Sequence, residues 1–187
     1  MATTSDISKG MFIKYDGELM LILEYTHITP GKGNAIYSVK CRNIKTGKQS
    51  EIRFRSGEKI DIVRVESHDL QYLYPEGDTL ICMNTESFEQ FPIPSLLFGD
   101  SLKFLKEGMT VSVKFSENEE PIFADAPGNV ELEVTYTEPG MKGDSTSRSL
   151  KFATLETGAI VQVPLFIEIG EKIKINTSTG DYVERVK

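Results

Sequence analysis

A chain of 187 residues with 39% hydrophobic and 26% charged side chains can bury real cores, which excludes wholesale disorder and leaves room for one or two domains, or three small ones. It has no run of about 18 apolar residues, and residues 1–9 (MATTSDISK) are polar, so neither a membrane span nor a signal peptide is expected and a cytoplasmic location is predicted. The net charge of −7 argues against indiscriminate nucleic-acid binding, but it is uneven: residues 1–64 carry 11 Lys and Arg against 7 Asp and Glu, residues 65–126 carry 3 against 12, and residues 127–187 carry 7 against 9.

Residues 11–15, Asp16-Gly17 and residues 19–28 read as a hairpin, because Asp-Gly suits the tight turn whose twist matches its strands. Residues 19–28 and 35–43 then flank Thr29-Pro30-Gly31-Lys32-Gly33-Asn34, predicted to be the tip of a long hairpin. Pro30 lacks a backbone donor and has a fixed φ, and Gly31 and Gly33 are expected to take conformations that other residues resist. Lys32 is left as the one protruding group; the plain alternative is a solvated lysine that serves solubility. Further on, Tyr37, Val39 and Cys41 alternate with Ser38, Lys40 and Arg42, and Ile52 and Phe54 with Arg53 and Arg55. Lys40, Arg42, Arg53 and Arg55 are therefore expected on one exposed surface, either a solvated face or one that meets phosphate. With Thr46-Gly47 and the run 60–65, these strands suggest a small, strongly bent barrel over residues 1–64.

A second unit, 65–127, repeats this pattern: a strand over 70–74, a turn at Pro75-Glu76-Gly77-Asp78, a strand over 79–83, and a shorter strand over 88–93 broken by Pro92 and Pro94. Residues 95–98 and 101–105 are the best helix candidates, each opened by a serine cap and stopped by Gly99 or Gly108. Strands follow at 110–115 and 122–124, and Ala126-Pro127-Gly128-Asn129 reads as a boundary. The third unit, 128–187, opens on the cleanest alternation in the chain, 130–137, followed by a polar loop over 138–147 that is more consistent with contact than with filler. Strands are expected at 151–157, 159–167, 173–176 and 182–186. The pattern Gly-x-x-Val-x-Val recurs at Gly108 and Gly158, as two similar small barrels in tandem would require, although coincidence explains it nearly as well.

Catalytic signatures are missing: there is no Gly-x-Ser-x-Gly elbow, phosphate loop, dinucleotide fingerprint or His-Glu-x-x-His run. His27 and His68 do not make an obvious metal site, and Cys41 and Cys82 lack metal-type spacing and read as buried free thiols. Neither metal nor cofactor is expected. Lys32 as a Schiff-base nucleophile is disfavoured, since that chemistry wants a desolvated lysine and a glycine-flanked tip is open to water. A general single-stranded RNA-binding protein is the main competing class, but it would interleave aromatics with cations, whereas Phe88 and Phe91 stand among acids.

Pro30-Gly31-Lys32-Gly33, the basic strand after it, Thr46-Gly47 and Phe54-Arg55-Ser56-Gly57-Glu58-Lys59 together resemble the N-terminal domain of the bacterial elongation factor P family. The resemblance continues through Gln71-Tyr72-Leu73-Tyr74, Phe88-Glu89-Gln90 and Phe104-Leu105-Lys106-Glu107-Gly108-Met109, then Pro139-Gly140, Lys142-Gly143-Asp144, residues 153–159, residues 163–167 and Thr179-Gly180. It spans essentially the whole chain and implies an all-β protein: an SH3-like barrel and two OB-type barrels in tandem, arranged as an L. It also implies a translation factor and not an enzyme, a monomer that binds the 70S ribosome between the peptidyl and exit sites and promotes peptide-bond formation at consecutive prolines. On this resemblance Lys32 reaches the peptidyl-transferase centre beside peptidyl-tRNA, supported by Pro30, Gly31, Gly33 and Asn34, and is a target for a lysine-modifying enzyme. Lys40, Arg42, Arg53 and Arg55 become candidate contacts to tRNA or ribosomal RNA, and Lys142, Gly143, Asp144, Ser145 and Thr146 a loop near the mRNA at the exit-site codon. Asn34 stands where many members have glutamine or another residue, His27 enters the strand before the tip, and Met83-Asn84 replaces a more usual Met-Asp, departures that leave the type of modification open.

Overall fold

The computed structural model describes residues 1–140 and 149–187. Its architecture is all-β, with three five-stranded sheets in sequence. The first contains β1 (Phe12–Tyr15), β2 (Glu18–Ile28), β3 (Ile36–Asn43), β4 (Gln49–Arg55) and β5 (Asp61–Val63) in the order β4-β3-β2-β1-β5. Asp16 (φ 50°) and Gly17 (φ 79°) are both left-handed, as the predicted tight turn between β1 and β2 demands. Ile22 lies opposite Cys41, and an irregularity before Glu24 shifts the register so that Tyr25 faces Val39. Across the next pair Val39 faces Ile52 and Tyr37 faces Phe54, so the alternating apolar residues close one core with Ile13, Met20 and Ile60. The turn at Thr46-Gly47 is organised by buried Asn43, whose side-chain oxygen accepts from the amides of Lys45 and Thr46 at 2.9 and 3.0 Å.

The second sheet contains β6 (Val65–Glu76), β7 (Thr79–Met83), β8 (Gln90–Pro94), β9 (Thr110–Ser116) and β10 (Pro121–Asp125) in the order β10-β9-β6-β7-β8. The expected turn at 75–78 is tighter than the sequence suggests: Pro75 and Glu76 stay in β6, opposite Leu80 and Thr79, and Gly77 (φ 58°) begins the reversal. Pro92 and Pro94 do not break β8, because β8 is the edge strand and needs no amide on its open side. The two expected helices are short 3-10 turns within Ser95–Phe104, separated at Gly99, whose backbone is non-helical (φ 55°, ψ −135°). Neither serine acts as the expected cap: the amide of Ser95 donates to Asp78 O at 2.9 Å, which holds it to the strand hairpin, and the Ser101 hydroxyl donates backward to Phe98 O at 2.7 Å.

The third sheet contains β11 (Asn129–Thr137), β12 (Leu150–Leu155), β13 (Ile160–Pro164), β14 (Lys172–Asn176) and β15 (Tyr182–Val186) in the order β13-β12-β11-β14-β15. β11 pairs with β12 on one side and β14 on the other, so its inward residues Val130, Leu132 and Val134 lie at the centre of the core. Phe104 inserts into the same core and is 1% exposed. The Gly-x-x-Val-x-Val repeat has a common geometry: Gly108 (φ 91°) and Gly158 (φ 86°) both turn left-handed before a strand with two inward valines.

By its internal packing the chain divides into two compact units, residues 1–67 with 114–123 and residues 68–113 with 124–187. Cys41 and Cys82 are free and buried, and burial pushes each thiol up to about 11. Among the described residues no helix is long and apolar enough to cross a membrane.

Candidate functional site at the hairpin tip

The hairpin of β2 and β3 is held at its base by the core and leaves it toward the tip. Met20, Leu21 and Ile22 are buried, whereas Glu24 and all that follows to the end of β2 is exposed, about 16 Å of strand at about 3.3 Å per residue. Residues 29–34, Lys32 included, are exposed. The two glycines beside Lys32 are not equivalent, which corrects the expectation that both take conformations other residues resist. Gly33 has φ +124°, in the region that favours glycine, with Pro30 Cγ 3.9 Å from where a Cβ would stand. Gly31 is not left-handed, and a Cβ there would meet nothing within 4 Å.

The base of the tip is braced by parts of the chain whose role the sequence does not announce. Ser56 N–H donates to Ala35 O at 2.9 Å, extending the β3–β4 ladder toward Lys32. The turn that carries Ser56 is locked in turn by Thr4, fully buried: its hydroxyl accepts from Gly57 N–H at 2.8 Å and its amide donates to Glu58 O at 3.0 Å. Glu58 also accepts from Arg55 N–H at 2.8 Å. On the hairpin itself His27 stacks on Tyr37, ring centroids 4.5 Å apart and 23° from parallel. A readable local signal for this brace was Thr3 followed three residues on by Asp6, whose carboxylate accepts from Thr3 N–H at 2.8 Å and closes the short turn Thr4–Asp6 that places Thr4.

Lys40, Arg42, Arg53 and Arg55 are all exposed on the outer face of β3 and β4. The face is not uniformly basic. Register places Glu24 of β2 and Glu51 of β4 on either side of Lys40 in one row, and Lys40 Nζ meets Glu24 at 3.1 Å. Arg53 Nε lies 3.8 Å from Glu51, which also accepts from the Ser38 hydroxyl. Among the described residues Arg42 and Arg55 make no ion pair, and Arg55, opposite Ile36, is the cation of this face nearest the tip.

In the third sheet, Glu138, Pro139 and Gly140 leave β11 toward the polar loop; a Cβ at Gly140 would lie 2.7 Å from Leu165 O, so only glycine permits this approach of two backbones. Lys142, Gly143, Asp144, Ser145 and Thr146 lie outside the described residues. Among the described residues no cluster of three His, Cys, Asp or Glu is arranged to hold a metal ion.

A lysine-tipped hairpin on a small bent sheet, followed by two further five-stranded sheets, is the architecture of a translation factor built from KOW-like and OB domains. The solved structure of eukaryotic translation initiation factor 5A from Methanococcus jannaschii resembles part of this fold, with a TM-score of 0.51 and 20% identity over 62% of this chain and 85% of that one. Residues 3–60 match the elongation factor P KOW-like domain, 65–124 the elongation factor P OB domain and 130–185 the elongation factor P C-terminal domain. Elongation factor P of Flavobacterium johnsoniae is 47% identical over the full length of both chains; that of Acidothermus cellulolyticus is 45% identical over 99% of this chain and 98% of its own, and that of Mycobacterium tuberculosis is 44% identical over 100% and 99%. The chain belongs to the elongation factor P family.

Proposed function

We propose that the protein binds the 70S ribosome between the peptidyl and exit sites and promotes peptide-bond formation at consecutive prolines, with Lys32 beside the acceptor end of peptidyl-tRNA. The observation that carries this reading is the exposed Lys32 at the end of an arm that stands clear of its core. A lysine stem on a Pro/Gly tip is a thin cationic probe that fits a crowded RNA cavity and can meet phosphate or ribose. Proline is a constrained nucleophile, so rescue by holding peptidyl-tRNA in a reactive pose is a proximity effect supplied to the ribosome, and the factor need not be an enzyme itself.

Exposure also leaves Lys32 accessible to a modifying enzyme, and a lengthened side chain would reach further than lysine alone. Arg42 and Arg55 are ready to contact tRNA or ribosomal RNA, whereas Lys40 and Arg53 would first exchange a carboxylate partner. Residues 142–146 serve as the loop near the mRNA at the exit-site codon. The factor acts in the cytoplasm as a monomer, with functional domains at residues 1–64, 65–127 and 128–187.

A diproline-stall translation assay with Lys32→Ala tests the reading. Stall relief is expected to be lost while the melting temperature stays at the wild-type value, because the tip buries little. Undiminished relief overturns the role of Lys32, and a large fall in melting temperature overturns the exposed-tip assignment. Mass spectrometry of the native Lys32 peptide identifies any added group.

A further inference from the structure

The outer surface of the third sheet has two halves of opposite character. Along the N-terminal part of β11 the outward residues are charged: Glu131 faces Lys174 and Glu133 faces Lys172, and Lys174 Nζ pairs with Glu184 of β15 at 2.6 Å. On the other side, where the C-terminal end of β11 meets β12 and β13, the outward positions among the described residues carry no charge. Tyr136, Thr154 and Ile160 form one row across the three strands, Phe152 and Gln162 the next, and Leu150 lies beyond. Four of these are large apolar side chains left in solvent: Tyr136 is 60% exposed, Phe152 66%, Ile160 62% and Leu150 55%. Their inward neighbours Ala153, Leu155, Val161 and Val163 already complete the core, so the outer row contributes nothing to it.

Contiguous apolar patches are rare on soluble monomers and mark contact sites, and loss of charge with enrichment in aromatics is the composition of an interface centre. We infer that this face of β12 and β13, with Tyr136 of β11, docks a protein partner that presents an apolar surface within a basic rim. Its own chemistry selects that occupant. Among the described residues, nucleic acid would find no cation on the face to replace its counterions. A second copy would bring another net charge of −7 toward the first, whereas a basic protein is drawn to it. The inference rests on the proposed ribosome binding, since it places the partner among the proteins of that complex, and it concerns a surface separate from the Lys32 tip.

Site-specific photocrosslinking tests it. A photoreactive phenylalanine analogue is placed at position 152 and, in a second preparation, at position 28 near the tip, and each full-length factor is bound to 70S ribosomes holding peptidyl-tRNA. The expected result is a crosslink from position 152 that resists ribonuclease and is removed by protease. A ribonuclease-sensitive crosslink there overturns the inference in favour of RNA. A crosslink between two copies of the factor, or one from position 28 with none from position 152, overturns it as well. If the unlabelled factor does not sediment with ribosomes, ribosome binding falls and the inference falls with it. Independently, Ile160→Glu should weaken ribosome binding by at least about tenfold, because a carboxylate would be buried at an apolar contact, with no change in melting temperature; wild-type affinity overturns the inference.

Discussion

Gly33 at φ +124° and Gly31 outside the left-handed region make different demands on the same tip. Gly33→Ala should strain the turn by about 1–3 kcal/mol and reduce stall relief, whereas Gly31→Ala, with open space around its Cβ, should leave relief near wild type. A stall assay on the two variants side by side checks this, and equal losses would contradict it. The tip itself was legible because Pro-Gly-Lys-Gly punctuates the chain locally. Which glycine bears the positive φ was not, because that depends on how β2 and β3 approach each other and not on residue type.

The hairpin and its neighbour β4 show why strand alternation alone misjudges a surface. Alternation correctly puts Lys40, Arg42, Arg53 and Arg55 outward, yet it says nothing of which residues lie across from them. Register supplies Glu24 and Glu51, so two of the four cations are already countered. Arg42→Ala and Arg55→Ala should therefore each lower the slope of log affinity for ribosomes against log salt by about one, while Lys40→Ala changes it less. Binding titrations across a salt series measure it. Equal slope changes at Lys40 and Arg55 would mean that the Glu24 pair opens on binding. The thermal stability of all three variants should remain close to wild type, since exposed ion pairs contribute little.

At the scale of the molecule, Phe104 ties the segment after β8 into the core of the third sheet, with its ring 3.5 Å from the position a Cβ on Gly180 would take. Phe104→Ala should cost about 3–5 kcal/mol, read as a fall in denaturant midpoint. Close by, Lys106 Nζ meets Glu156 at 2.7 Å, and this hydrogen bond, with one from the Glu133 amide and the nearby Lys106 and Lys172 charges, outweighs burial and holds the Glu156 carboxyl below its usual value of 4.5. A lowered value means that the folded state favours the charged form. The stabilisation is therefore present above pH 4.5 and fades as the pH falls through the folded value. Glu156→Gln should melt lower than wild type at neutral pH, with the difference shrinking in acid; a difference independent of pH would show that packing, not charge, is responsible.

By itself the sequence determined the all-β class, most strands, the Asp-Gly turn and the lysine tip, because period-two alternation and turn chemistry are written within a few residues, while the family was legible only through the resemblance of its ordered motifs. Only the tertiary structure decided the row Glu24-Lys40-Glu51, the brace from Thr4 to the turn beneath the tip, the insertion of Phe104 and the uncharged outer face of β12 and β13. Each depends on residues far apart in the chain meeting at a particular register, and register follows from the packing of whole sheets.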